Sequence, residues 1–398
     1  MKKMLVAAVA AAVVSCGIEE MSQRPGVNRD DVWTGPGMNA GDSGREVCYV
    51  TAFDYPDDYD WRADREKGSV KCSLVVFANG VPMMKVPVGD EFEVSSDPDM
   101  HRMIEGHLYT DYSTGSETVI KKNGKTVLRY PGREVVCGII ADGDTLYTLG
   151  HPRHGDGFAF RKNGEVILER SAGRTFGRLH RDGGRICFAF TEPVASEGRD
   201  IERYYHFTDG MIVQAAVRDD VRKVWDIYSH KGEICWVASV TGIEEPVLFK
   251  DGRLNAMVLF EGYTPLTLSI MEGEDALYVE GILTSSDLTL VTAFWPRPGH
   301  SLSFDDGFVA SSSCLSGDGI NFTFNPMDLS GYGMIYRNGD ELPMPAGYSV
   351  MGTRCAAISG GILHIGLSSL EGGRPMVWKD GQTELLDISG YIASVSVH

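Results

Sequence analysis

The sequence is short of positive charge. Its 398 residues hold 37 Lys and Arg against 55 Asp and Glu, a formal net charge of -18. That balance argues against a nucleic-acid partner and against electrostatic adsorption to anionic lipid. Long apolar runs are also missing. Nothing after the first segment approaches the roughly 18 residues of a spanning helix, and no helix of useful length is visible there. The eight cysteines include no Cys-x-x-Cys and no clustered metal spacing. Gly-x-Ser-x-Gly, a phosphate loop, a dinucleotide fingerprint and His-Glu-x-x-His are all absent. These absences lower the odds of an enzyme without excluding a site assembled from distant loops. No cofactor and no metal is expected.

What the chain has in quantity is glycine, 47 residues, and much of it is periodic. Asn-Gly or Asp-Gly falls at Asn79-Gly80, Asn123-Gly124, Asn163-Gly164, Asp209-Gly210, Asp251-Gly252, Asn338-Gly339 and Asp380-Gly381. A degenerate Pro298-Gly299 fills the one gap, so the glycines recur every 40 to 47 residues. Such dipeptides suit a two-residue hairpin turn, whose central residues both sit at positive φ. A second turn series centres on Gly44, Gly106, Gly143, Gly184, Gly232, Gly273, Gly319 and Gly361. Each is followed by a short β-prone strand such as Leu146-Tyr147-Thr148-Leu149. Every copy therefore yields four strands. Four strands per 40-odd residues, repeated, predicts an all-β fold, a β-propeller of eight four-stranded blades. Seven is the alternative count, because one copy is degenerate; two stacked sandwiches fit one uninterrupted period poorly.

The ends support a ring. The first copy begins at its second strand, near Val47. The chain finishes with an extra apolar piece, 391–397, which can supply the missing inner strand and close the ring. Three segments result: 1–15, 16–42 and the propeller, 43–398.

The first segment has a basic start, Lys2-Lys3, then an apolar stretch from Met4 to Val14, and reads as a secretory signal. Val13-Val14-Ser15-Cys16 resembles the lipobox of bacterial lipoproteins, and Glu19-Glu20 is loosely similar to acidic export signals of Bacteroidetes lipoproteins. The resemblance implies lipid attachment at Cys16 after cleavage, and an outer-membrane location, periplasmic or surface-exposed, because Gly17 stands where many retained proteins carry aspartate. Residues 16–42, rich in Gly, Asn, Asp, Ser and Pro, read as a flexible tether. Trp378-Lys379-Asp380-Gly381 is similar to the repeats of Trp-Lys-Asn-Gly propellers in secreted bacterial proteins.

The remaining cysteines are an odd set of seven. Cys48, Cys187 and Cys235 fall at one repeat position, held by Tyr109, Tyr147, Tyr278 and Phe322 elsewhere, as interior residues of a strand. A Cys48–Cys72 bridge across one hairpin stays open.

Tight turns of Gly and Asn offer little side chain, so the face of longer connections is the expected ligand face. Its largest insertion, 53–69, interleaves aromatics with carboxylates: Tyr55, Asp58, Tyr59 and Trp61. Tyr112 and Tyr332 are expected near the same mouth. His151, Arg153 and His154 lie in the blade-three connection. Glu192, Glu197, Arg199, Asp200 and Arg203 are placed in the blade-four connection, where paired carboxylates could cleave a glycoside. Ser303-Phe304-Asp305-Asp306-Gly307 resembles a sialidase Asp-box, but Ala310 replaces its aromatic and no second copy exists, so it reads as a turn. The sequence thus points to a monomeric binding module for a glycan or a protein partner. The alternatives are a carbohydrate-active hydrolase or lyase using loop carboxylates, and a scaffold of an outer-membrane complex.

Overall fold

The structure, a computed structural model, describes Trp33–Thr34 and residues 47–397. Within the latter it leaves out 58, 60–71, 89–100, 114–115, 154, 197–198, 217–219, 258, 260, 274–276, 287–289, 298–299, 305–307, 317–318, 327–332, 338–339, 352–353 and 360. The described residues form eight antiparallel sheets, the blades of a β-propeller, and contain no helix. Blades two to eight span 101–131, 134–170, 175–215, 221–256, 263–304, 308–343 and 348–385. Blade one takes its innermost strand, Gly390–Val397, from the C-terminus. That strand pairs antiparallel with Cys48–Asp54, from Cys48↔Val397 to Asp54↔Gly390, and Cys72–Ala78 and Val81–Val88 complete the blade outward. The orphan strand expected from the sequence therefore closes the ring.

Apolar packing is continuous across this seam. One buried cluster joins Val50 and Phe77 of blade one, Ile392 and Val395 of the closing strand, Leu363, Ile365 and Trp378 of blade eight, and Ile335 and Met344 of blade seven. Burying a side chain of this size contributes about 2 kcal/mol.

The hairpin dipeptides adopt the predicted geometry wherever they are described. Asn79, Asn123, Asn163, Asp209, Asp251 and Asp380 have φ between 43° and 54°, each followed by a glycine at positive φ. Pro298-Gly299 and Asn338-Gly339 lie outside the described residues. The turn residue has a second role. Its backbone amide and its side-chain oxygen both bind the start of the blade's second strand. Asn163 N donates to Leu146 O at 2.8 Å, and Leu146 N donates to Asn163 Oδ1 at 2.8 Å. The same pair of bonds joins Asn79 to Cys48, Asn123 to Leu108, Asp209 to Ile186 and Asp380 to Leu363. In several copies a cation precedes the dipeptide, and in two of them it packs on an aromatic ring: Lys122 lies 5.7 Å over the Tyr109 ring and Lys162 5.7 Å over that of Tyr147.

One expectation is corrected, one open question is decided, and one further pairing is found. Cys48 does not share the position of Cys187 and Tyr109. Its amide bond to Asn79 aligns it with Leu108, Leu146 and Ile186, one residue earlier, and Tyr49 takes the place of Tyr109 and Tyr147. A one-residue shift in a strand changes the face, so the alignment by residue type alone failed. Cys48 and Cys72 are free thiols, as are Cys187 and Cys235. Burial pushes the Cys48 thiol up to about 11 and that of Cys72 to about 12, which suits small packing residues. Finally, Trp33–Thr34, inside the expected tether, pairs as a fifth strand on the outer edge of blade one, Trp33↔Lys85 and Thr34↔Met84. Main-chain hydrogen bonds along an open edge hold it there.

If the turn residue works through its side-chain oxygen, Asn163→Asp, which keeps the acceptor and tolerates positive φ, should change stability by less than about 0.5 kcal/mol. Asn163→Ala should cost about 2 kcal/mol, about 1 from the lost hydrogen bond and about 1 from left-handed strain. Urea unfolding of the two variants checks this; equal losses would contradict it.

Candidate functional site at the ring seam

Three connections meet where blade eight adjoins blade one, on the face opposite the Asn-Gly turns. They are the start of the insertion after Cys48–Asp54, the 370–375 connection of blade eight, and 386–389 leading into the closing strand. Together they bound a cavity of about 460 Å³ lined mainly by polar groups, with Asp54, Asp57, Lys85, Arg374, Asp387 and Tyr55 among them.

Asp54 organises its floor. Its Oδ1 accepts from Ser389 N at 3.0 Å and its Oδ2 pairs with Lys85 Nζ at 2.7 Å. Tyr55 N donates to Ser389 O at 2.7 Å, so both strands of the seam end under one network. At the rim Arg374 Nη2 meets Asp387 Oδ1 at 2.9 Å, both exposed. Asp57 is exposed, and no described cation pairs with it. Three carboxylates against two cations leave the cleft one negative charge in excess.

The sequence candidates are dispersed. Tyr55 lines the cleft but is buried, its ring 5.5 Å from Tyr59 and 6.4 Å from Tyr391. Burial and these neighbours raise its phenol well above the usual tyrosine range. Tyr112 is buried in blade two with Lys121 Nζ 4.8 Å over its ring, and does not line the cleft. His151 spans two blades. Its Nδ1 donates to Gly157 O at 2.9 Å, which fixes the tautomer, and its Nε2 accepts from Thr175 Oγ1 at 2.8 Å. Both ring nitrogens are therefore occupied. Arg153 is half-buried, its amide donating to Arg133 O at 3.1 Å. Cys16, Asp58, Trp61, His154, Tyr332 and Asp305-Asp306-Gly307 lie outside the described residues.

The blade-four connection is not a loop. β-prone residues carry the ladder through it, so that Arg185–Ser196 pairs with Arg199–Thr208 out to Ser196↔Arg199. Glu192 there is held by Arg170.

Sequence reasoning missed a polar chain on the turn face. Asp142, Asp182, His230 and Glu272 each end the innermost strand of their blade, and each reaches the next blade or back to the last. Arg181 Nη2 meets Asp142 Oδ2 at 3.5 Å, Gly232 N donates to Asp182 Oδ2 at 2.8 Å, and His230 Nδ1 lies 3.2 Å from Glu272 Oε1. Tyr228 donates to Glu272 Oε2 at 2.6 Å and stacks at 4.1 Å on His180, whose Nε2 lies 2.9 Å from Ser229 Oγ and 3.1 Å from Ser229 O. The signal was a polar residue recurring just before the inner turns of blades three to six. Behind the chain, His206 is 2% exposed and neither ring nitrogen has a hydrogen-bond partner. Burial, then the neighbouring His180 and Arg185, lowers it to about 4, with Asp182 opposing.

A lowered histidine pKa means that the native state binds fewer protons than the unfolded chain. The stability it supports is complete above the unfolded value of 6.5 and is lost as pH falls toward 4. His206→Phe removes this dependence. The stability advantage of the native chain over His206→Phe should shrink between pH 7 and pH 4.5 in urea titrations, and a constant difference would contradict the assignment.

No protein-family model matches the chain, and no curated protein matches it in sequence. Among solved structures it is similar to the β-propeller domain of the Trilobed protease from Pyrococcus furiosus, at 11% identity and TM-score 0.45, covering 75% of this chain and 92% of that one. It is similar to Pyrococcus horikoshii acylaminoacyl peptidase at 12% identity and TM-score 0.43, covering 82% and 56%. A prolyl endopeptidase is matched at 9% identity and TM-score 0.42, covering 75% and 49%. The chain thus spans about half the length of those two peptidases.

Proposed function

We propose that the protein is a lipid-anchored β-propeller of the bacterial outer membrane that binds a protein partner at the ring seam. The observation that carries the binding role is the cleft: connections from two blades converge there and present Asp57 beside one exposed, exchangeable ion pair, Arg374–Asp387. Exposed pairs such as Arg374–Asp387 contribute at most about 1 kcal/mol, so a partner's charges can replace them at little cost. The negative excess suits a basic segment. A protein fits better than a glycan because the Tyr55 ring, buried beside Tyr59 and Tyr391, offers no open face for a sugar. The anchor rests on Val13-Val14-Ser15-Cys16.

Cys16→Ala should abolish palmitate labelling and move the protein from the membrane to the soluble fraction; persistent labelling would refute the anchor. That unlipidated full-length protein, applied to arrays of basic peptides and of glycans, should bind basic peptides. Asp57→Lys should weaken this binding at least tenfold. Binding to glycans alone would overturn the choice of partner.

A further inference from the structure

The outermost strand of each blade has one open edge, and proteins guard such edges with charge or proline. Most outer strands here follow that rule. Val81–Val88 carries Pro82, Lys85 and Pro87; Lys125–Pro131 carries Lys125, Arg129 and Pro131; Glu165–Arg170 carries three charges. Arg253–Ala256, Asp340–Pro343 and Gln382–Leu385 each hold at least one charge. His300–Phe304 lacks both guards, but is polar, with a histidine and two serines. Met211–Ala215 of blade four, Met-Ile-Val-Gln-Ala, lacks them and is apolar. Met211 is 58% exposed, Ile212 41% and Val213 40%. Three successive exposed residues mean that both faces of this strand are open. Its inner edge pairs with Arg199–Thr208, from Tyr204↔Ala215 to Thr208↔Met211, and no described strand lies on its outer edge.

Blade one shows what such an edge accepts. Its outer strand, although guarded, is extended antiparallel by Trp33–Thr34, an aromatic and a β-branched residue from outside the ring. This is strand addition, in which main-chain bonds supply affinity and alternate side chains supply selectivity.

We propose that the outer edge of Met211–Ala215 docks an extended, β-prone segment of a partner protein, apolar at alternate positions and flanked by basic residues, as a fifth antiparallel strand of blade four. The open face of Ile212 and the opposite face of Met211 and Val213 receive the alternate side chains. A second copy is disfavoured as occupant. A five-residue edge offers far less than the roughly 1,200 Å² of a stable interface between folded proteins, and two chains of net charge -18 repel, whereas a basic flank is attracted.

The probe is an acetylated, amidated peptide, Lys-Val-Thr-Val-Thr-Val-Lys, with the full-length protein. Hydrogen exchange should slow at least tenfold within 211–215 on peptide addition, with no change at the other outer strands. Ile212→Lys should weaken peptide binding at least tenfold at an unchanged urea midpoint, and Ile212→Thr should retain it. Protection at another edge, or binding indifferent to Ile212→Lys, overturns the proposal. So does the absence of binding, with or without a concentration-dependent dimer that Ile212→Lys abolishes. Should Ile212→Lys lower the urea midpoint, the exchange map and Ile212→Thr still decide.

Discussion

The antiparallel pairing of Gly390–Val397 with Cys48–Asp54 is the constraint on which the rest depends. A ring of sheets has no inner edge to protect only once it is shut, and here the last strand of the chain shuts it. Closure aligns Asp54 with Gly390, brings Ser389 onto the Asp54 carboxylate across a separation of 335 residues, and so creates the cleft. Gly390 itself leaves no room for change: a Cβ there would lie 2.0 Å from Phe53 O. The candidate site is therefore a by-product of closure, built from the two ends of the fold.

Within blades one to four and blade eight the turn residue does the comparable work at short range. Asn or Asp at positive φ reverses the outer hairpin, and the same side chain fixes the second strand against that hairpin. This dual demand explains why Asn and Asp recur at these turns, where Gly-Gly would satisfy the backbone alone. Between blades, the polar chain through Asp142, Asp182, His230 and Glu272 ties neighbouring inner strands on the turn face. His206, neutral and buried behind it, makes that region sensitive to acid.

The architecture was largely legible because a positive-φ turn leaves a mark in two adjacent letters. The φ of Asn123 followed from that mark, and the closing role of 391–397 from a first copy that lacks its inner strand. Register was less legible: Cys48 resembles Cys187 in type but stands one residue earlier in the repeat, and only the bond to Asn79 reveals it. The site was legible only at Tyr55 and its insertion. Lys85, Arg374 and Asp387 carry no local motif and meet only through closure. His151 looked available because its partners, Gly157 O and Thr175, belong to geometry rather than sequence.

Closure is tested most directly by ending the chain at Ser389 and following hydrogen exchange in the full-length and shortened proteins. If the ring is one cooperative unit, the amides of Glu233–Val240 in blade five, across the ring from the seam, should lose protection along with those of Cys48–Asp54. Blade-five amides that keep full protection while blade one alone exchanges would contradict it.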